Sequence, residues 1–290
     1  MREYTPEILH KVQQCELSIL KDFVRICIDN NISFFGFGGT AIGALRHGGF
    51  IPWDDDIDIA VIRSDMDRIV KIIKRDYSDK YHIVDASLYD DFPLMTTHIV
   101  LNGSIFVSDS LPGLDCPLGI FLDIFPLDVV APEGKARRRQ YRRAYLLCKL
   151  MILSKVPRPV VMGSKVKKFF VHFITCIVNF FMRLLRINKK KIYSKLLTVC
   201  TEYNNTENPE LYGYFCDTFP DRNNFTPDML FPVRKIKFED IEDMEFPNKI
   251  EQQLEGYYGD YMQLPPVEKR KNHFPSILKF PGEDMIYRNE

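Results

Sequence analysis

Four carboxylates, Asp54, Asp55, Asp56 and Asp58, fall within five residues and run directly into the apolar stretch Ile59-Ala60-Val61-Ile62. Two like charges about 4 Å apart repel by roughly 1 kcal/mol in water and roughly 4 kcal/mol at a partly buried site. A folded chain tolerates such crowding when something positive sits among the acids, and hard oxygen ligands suit Mg²⁺ or Mn²⁺. In extended backbone alternate side chains share a face. Asp54, Asp56 and Asp58 then point one way, while Asp55, Ile57, Ile59 and Val61 point the other way, toward a core. Two carboxylates side by side on a strand can grip paired metals for phosphoryl transfer. A calcium loop places spaced ligands around a glycine, which Asp-Ile-Asp-Ile does not match. A solvated acidic turn would not continue as an apolar strand.

Upstream, Phe34-Phe35-Gly36-Phe37 reads as a short strand entering Gly38-Gly39-Thr40, and Ala41 to Leu45 as the first turns of a helix. Glycines between a strand and a helix let the backbone approach a phosphate, and a helix N-terminus favours an anion. Arg46 offers a planar fork to a phosphate. His47 could contact phosphate, move a proton or serve structure alone.

The stretch GFGGTAIGALRHGGFIPWDDDIDI resembles the signature of the LicD family, the phosphocholine transferases of bacterial surface glycans. GIFLDIFPLD (119–128) resembles that family's second block, and YYGDYMQLPPVEKRKNH (257–273) its C-terminal block. The resemblance implies an α+β, nucleotidyltransferase-like fold: a mixed sheet flanked by helices, shared with the fukutin-related sugar-phosphate transferases. It implies Asp56 and Asp58 as catalytic metal ligands, with Asp123 as the third carboxylate on a neighbouring strand. Phe121-Leu122-Asp123-Ile124-Phe125 reads as a strand in its own right, and an isolated acid in an apolar strand needs a partner. Asp128, after Pro126-Leu127, is expected to close a turn.

By the same resemblance the donor is CDP-linked, CDP-choline first, and the acceptor is a hydroxyl of a glycan precursor, lipid-linked or free. The glycan is of the teichoic acid or lipopolysaccharide kind. Gly38, Gly39, Thr40, Arg46, His47, Lys269 and Arg270 are candidate phosphate or nucleotide contacts. Trp53, Tyr257 and Tyr258 could cradle a quaternary ammonium or a base, although packing alone also accounts for such aromatics. Asp54, Asp55 and His273 lie in these blocks without an assigned role. The same acids would serve transfer of another phospho-group, such as phosphopolyol or phosphoethanolamine, or true nucleotidyl transfer, and a non-catalytic binding module is a further reading.

Composition sets the frame. With 290 residues, 46% apolar and 27% charged, the chain suits one large globular domain or a core with an appendage. Its seven cysteines form no C-x-x-C pair, which fits a reducing cytosol better than a zinc site or a disulfide scaffold. The N-terminus carries charges and no apolar run, so a cytoplasmic location is expected.

Zero net charge hides an asymmetry: residues 131–195 hold 18 Lys and Arg against the single acid Glu133, a segment of +17 beside a remainder of −17. Within it, Phe169 to Met182 has no charged residue and is bracketed by Lys165, Lys167, Lys168 and by Arg183, Arg186, Lys189, Lys190, Lys191. The run is too short to span a bilayer as a helix, which takes roughly 20 residues. It fits a helix lying in a membrane interface with basic flanks on anionic headgroups, or a buried helix with a solvated basic rim. The cluster ARRRQYRR (136–143) lacks the motif a nucleic-acid partner would need.

The elements that must position the acids follow from periodicity. Helices are predicted over 6–30 (capped by Thr5, with Pro6 first), 64–75, 133–156, 165–187, 189–203 and 250–256. Strands are predicted over 81–86, 94–101 and 104–107, the last two joined as a hairpin by Asn102-Gly103. The chain divides into a catalytic core (1–130), a basic apolar helical insertion (131–205) and a C-terminal part completing the site (206–290).

Overall fold

The computed structural model describes residues 4–108, 113–157, 164–270 and 272–288; the side chains of Lys165, Val166 and Lys167, and the residue Lys271, lie outside the described residues. Helix α1 (Pro6–Asp29) begins at Thr5, whose hydroxyl accepts the Ile8 amide, and buries Val12, Leu17, Leu20 and Phe23. Strand β1 (Phe35–Gly36) leads into α2 (Gly38–His47), then β2 (Asp58–Ile62), α3 (Arg63–Asp76), β3 (Tyr81–Val84), β4 (Thr97–Leu101), β5 (Ile105–Ser108) and β6 (Phe121–Val129). Three helices follow: α4 (Lys135–Lys155), α5 (Lys165–Leu184) and α6 (Lys189–Thr201). The C-terminal part comprises β7 (Tyr212–Gly213), β8 (Asn224–Phe225), α7 (Pro227–Leu230), β9 (Arg234–Phe238), β10 (Ile241–Phe246), α8 (Ile250–Tyr258), β11 (Pro275–Lys279) and β12 (Ile286–Arg288).

The fold is α+β, as the resemblance implied. The main sheet runs β1-β2-β6-β4-β3, with β7 and β8 added along β6. β2 and β6 are parallel; the other pairings are antiparallel. Alternation along the strands sorts the core into two layers. Phe34, Ile59, Val61, Leu122 and Ile124 face α1, α2 and α3, whereas Phe35, Ala60 and Leu127 face α4 and α6. Residues 131–205 therefore share a core with the sheet. The buried Lys189 ties them further, donating to the carbonyls of Ala86 and Tyr89.

Two expectations are corrected. Asn102-Gly103 does form a turn, with Gly103 at φ 79°, yet β4 and β5 do not pair. β4 lies between β3 and β6, while β5 leaves for a separate sheet with β11 and β12. The Ser104 hydroxyl holds the divergence, donating to Leu101 O and accepting from Ile120 N, so the segment before β6 takes the place a hairpin partner would occupy. Asp128 does not close a turn. It sits inside β6 paired with Gly213, buried, and accepts two hydrogen bonds of 2.5 Å from Arg63 and one of 2.8 Å from Asn204. A carboxylate satisfied this fully can remain in a strand interior.

Candidate active site

The parallel register of β2 and β6 sets Asp58 directly opposite Asp123. Strand alternation places both on the face that α4 and α6 cover further along, and Asp54 and Asp56 approach the same spot from the segment preceding β2. Asp54, Asp56 and Asp58 are half-buried, whereas Asp55, Ile57, Ile59 and Val61 are buried, the alternation read from the sequence. Asp55 serves as an anchor on the opposite side: it accepts from the Tyr4 hydroxyl (2.6 Å) and from the His273 amide (2.7 Å).

Helix α2 points its N-terminus into the cluster. Gly38 opens it at φ 51°, and a Cβ there would lie 2.9 Å from Asp58 Oδ2; at Gly39 it would lie 2.8 Å from Asp54 Oδ2. Both glycines are required for the carboxylates to come this close to the backbone. The Thr40 hydroxyl accepts the Asp58 amide at 2.8 Å, locking the start of β2 to the helix. The first intrahelical bond runs from Ala41 N to Phe37 O, which leaves the amides of Gly38, Gly39 and Thr40 as first-turn donors aimed at the site.

The electrostatics are those of a crowded anionic pocket. Burial pushes Asp58 well above the usual carboxylate range, and Asp56, Asp123 and Asp54 push it further. Asp54 is raised by burial and by Asp56 and Asp55. Asp56 goes the other way: burial alone would raise it, but the His273 imidazole, 3.0 Å away, outweighs that and holds it low. His273 is correspondingly pushed up to about 12, chiefly by Asp56 and by hydrogen bonding to Asp55 and Asp56, and stays protonated across the physiological range.

Sequence reasoning passed over two participants. Glu16, on α1, is buried and pushed well above its ordinary range by burial and then by Asp56, Asp55, Asp54 and Asp58; its Oε2 has no hydrogen-bond partner. The signal was an acid one helical turn from both Val12 and Leu20, inside the apolar stripe. His98 lies opposite Asp123 in the β4–β6 register, with its Nε2 3.5 Å from Asp123 Oδ1, and stacks on Phe121 at 4.0 Å. A histidine leading directly into the apolar run Ile99-Val100-Leu101 was the clue. His98, Asp123, Asp56 and His273, with Phe106 and Phe121, line a cavity of about 170 Å³.

The remaining candidates divide by position. Tyr258, at the end of α8, brings its hydroxyl to 3.7 Å from where a Gly38 Cβ would be, and is raised by burial and by Asp58. Tyr257 turns away and donates to Asp217 at 2.7 Å. Trp53 is covered by the Arg270 guanidinium, 4.2 Å above its ring. Arg46 and His47 lie at the far end of α2, about 12 Å along the axis from Gly38. Arg46 donates to Tyr261 O (2.7 Å) and to His47 (2.9 Å), and its pKa is held down by burial and by Arg270. Lys269 is exposed in a single 3-10 turn.

The donor set fits a hard divalent cation. Asp123 Oδ1 is buried and accepts no hydrogen bond, and such an oxygen in a native site calls for an explanation, of which an ion is one. Asp55, Asp56 and His273 bring potential ligand atoms within 4.8 Å of one another. With both Asp55 oxygens engaged and Asp56 Oδ2 facing His273, the carboxylate oxygens left for a cation are those of Asp58 and Asp123 and the second oxygen of Asp56.

A family model described as LicD/FKTN/FKRP, nucleotidyltransferase domain, matches residues 31–97, the span from β1 to the start of β4 that contains the glycine turn and the acidic run. The stretch from β1 to the start of β4 is therefore similar to a LicD-type nucleotidyltransferase domain. Similarity to one LicD protein extends well beyond that domain. The chain is 27% identical over 278 residues to the lipopolysaccharide cholinephosphotransferase LicD of Haemophilus influenzae, covering 91% of this chain and 95% of that protein. An uncharacterised protein of Rickettsia prowazekii is 32% identical over 82 residues, and one of Rickettsia typhi is 34% identical over 71 residues. These two alignments cover 31% and 23% of the Rickettsia proteins, so they reach only part of each. Asp123 and His273 lie outside the domain match; the parallel register of β2 and β6 returns the first to the acidic run, and the contact with Asp56 the second.

Proposed function

We propose that this chain is a phosphotransferase that moves phosphocholine from CDP-choline to a hydroxyl of a cell-surface glycan precursor and releases CMP. The observation that carries the reading is the meeting of Asp54, Asp56, Asp58 and Asp123 with the glycine-built N-terminus of α2. The reading is supported by the similarity to a lipopolysaccharide cholinephosphotransferase over nearly the full length of both proteins.

In this reading Asp56, Asp58 and Asp123 hold Mg²⁺ or Mn²⁺. When bound, the ion neutralises the donor's diphosphate and stabilises charge on the leaving CMP. The amides of Gly38, Gly39 and Thr40 and the positive end of α2 receive phosphate oxygens. The acceptor oxygen attacks the phosphorus that carries choline, the bond from that phosphorus to the CMP oxygen breaks, and CMP leaves with the electron pair. The hydroxyl proton passes to a carboxylate; Asp54 is suited to take it once a bound cation offsets the crowding by Asp56 and Asp55 that, with burial, keeps it protonated in the metal-free protein. His273 holds Asp56 in its charged form. Tyr258, whose hydroxyl reaches the glycine turn, is positioned for the donor, whereas Tyr257 and Trp53 are occupied by Asp217 and Arg270. The seven free thiols suit the reducing, cytoplasmic side of the membrane.

The test is CMP release from CDP-choline in the presence of glycan acceptor, with and without Mg²⁺, for wild type and for Asp56→Asn and Asp58→Asn. Loss of one electrostatic stabiliser should slow release at least about 10²–10³-fold in protein that remains folded. Wild-type rates in either variant would overturn the assignment. Pyrophosphate release from CTP, with no CMP from CDP-choline, would replace it with nucleotidyl transfer.

A further inference from the structure

Helix α5 buries Met182 and packs Val178 against the core, yet turns most of its large apolar side chains outward. The positions it turns toward α4 include two polar residues: Thr175, whose hydroxyl donates to His172 O, and Asn179, whose amide donates to Leu153 O at 2.6 Å. Its outward positions are Phe169, Phe170, Phe173, Phe180 and Phe181, each between 51% and 68% exposed, with Ile174, Ile177 and Leu184 among them. A helix of a water-facing domain does the reverse. The five phenylalanines alone present on the order of 500 Å² of apolar surface, about as much as the largest patch on a typical soluble monomer.

The charge around this face has one sign. Lys168 stands at its N-terminal end and Arg183, Arg186, Lys190 and Lys191 at its C-terminal end, all exposed. Among the described residues none of the five has an acidic partner, whereas other exposed cations, such as Lys21, Arg68, Lys80 and Lys249, do. A protein partner for an apolar stripe would not demand a uniformly cationic rim. A bilayer with anionic headgroups does, because apolar insertion and headgroup attraction then act along the same line.

The geometry also limits depth. No single described helix is long and apolar enough to cross a membrane; α5 and α6 pass only as a pair bent by 107°. α6 cannot leave the protein, since Ile192, Leu196 and Val199 are packed under α4 against the sheet. Helix α5 can therefore only lie along a surface. A cleft of about 480 Å³ opens beside it, lined by Val156, Pro157, Cys176 and Phe180, with Arg183 as its cation since Lys155 is paired with Asp90 and Asp91.

We infer that α5 is a membrane-docking helix, which seats the protein peripherally on an anionic lipid surface through Phe169, Phe170, Phe173, Phe180 and Phe181, with Arg183, Arg186, Lys190 and Lys191 on the headgroups. The inference is independent of the transfer chemistry. The test is co-sedimentation of the full chain with phosphatidylcholine vesicles and with vesicles of phosphatidylcholine and phosphatidylglycerol. Wild type should pellet with the anionic vesicles, weakly with the neutral ones, and less as salt rises. The double variant Phe173→Ser, Phe180→Ser should stay in the supernatant, and Arg183→Ser and Lys190→Ser should each weaken partition about five-fold. Far-UV circular dichroism and CMP release with a soluble acceptor should be unchanged in these variants, which separates loss of docking from loss of fold or of the active site. Two results overturn the inference: wild type left in the supernatant with anionic vesicles, or a stable solution dimer that Phe173→Ser, Phe180→Ser converts to monomer, since the face would then belong to a second copy.

Discussion

Asp58→Asn should make the metal-free protein more stable while removing its activity. Asp58 faces Asp123 across one parallel strand pair and has Asp56 and Asp54 as further anionic neighbours. Neighbouring strands lie about 4.8 Å apart, so two unit charges there repel by about 3.5 kcal/mol at an effective dielectric near 20. The folded protein escapes part of that repulsion by keeping a proton, because Asp58 is raised well above the ordinary range. Neutralising the side chain should therefore recover about 1–3 kcal/mol rather than the full Coulomb term. For a chain of this size that is a rise in Tm of a few degrees. The assay is thermal unfolding near neutral pH, in EDTA and then in saturating Mg²⁺. Wild type should gain stability with Mg²⁺, since a ligand bound only to the folded state stabilises it by mass action. Asp58→Asn should start higher, gain less, and turn over at least about 10²-fold more slowly. A lower Tm for the variant in EDTA, or an equal Mg²⁺ response in both proteins, would refute the picture of a repulsive site relieved by a cation.

Other outcomes follow from the same geometry. Gly38→Ala puts a Cβ 2.9 Å from Asp58 Oδ2 at a left-handed φ, and should cost about 1–3 kcal/mol in denaturant unfolding together with most of the CMP release. Asp128→Ala leaves the buried Arg63 guanidinium without its two 2.5 Å acceptors and should destabilise by about 3–5 kcal/mol by urea titration. The metal-free protein should lose stability as pH rises above about 4. Glu16, Asp54 and Asp58 keep protons when folded that the unfolded chain has released, and above about 6.5 His273, pushed up to about 12, does the same. Thermal scans in EDTA from mildly acidic to mildly alkaline pH should show Tm falling throughout, and a flat or rising profile would contradict these shifts.

Much of the site was legible because its signals are local. The Asp54–Asp58 alternation fixed which acids share a face, the paired glycines marked the strand-to-helix corner, and an acid inside an apolar strand singled out Asp123 as needing a partner. Helix spans read from periodicity agree with α1, α3, α4, α5, α6 and α8 to within three residues at each end. The failures concern long-range pairing. Asn102-Gly103 is a true turn, but turn chemistry does not say which strand the chain will meet next, and β5 found β11, some 170 residues away. Asp128 looked like a turn residue because its partners, Arg63 and Asn204, are remote in sequence.

What the sequence by itself determined, then, is composition, alternation and local caps: an acidic run beside a glycine corner, and a basic segment around an apolar helix. Tertiary structure alone decided which groups meet. It set Asp123 against Asp58 through a parallel register, brought His273 from the far end of the chain to within 3.0 Å of Asp56, and turned Glu16 inward. It also faced the phenylalanines of α5 outward, the inner face of that helix being filled by Thr175, Val178, Asn179 and Met182. The physical reason is that charge coupling depends on distances across the fold, and those are fixed by strand register and helix packing, not by neighbours along the chain.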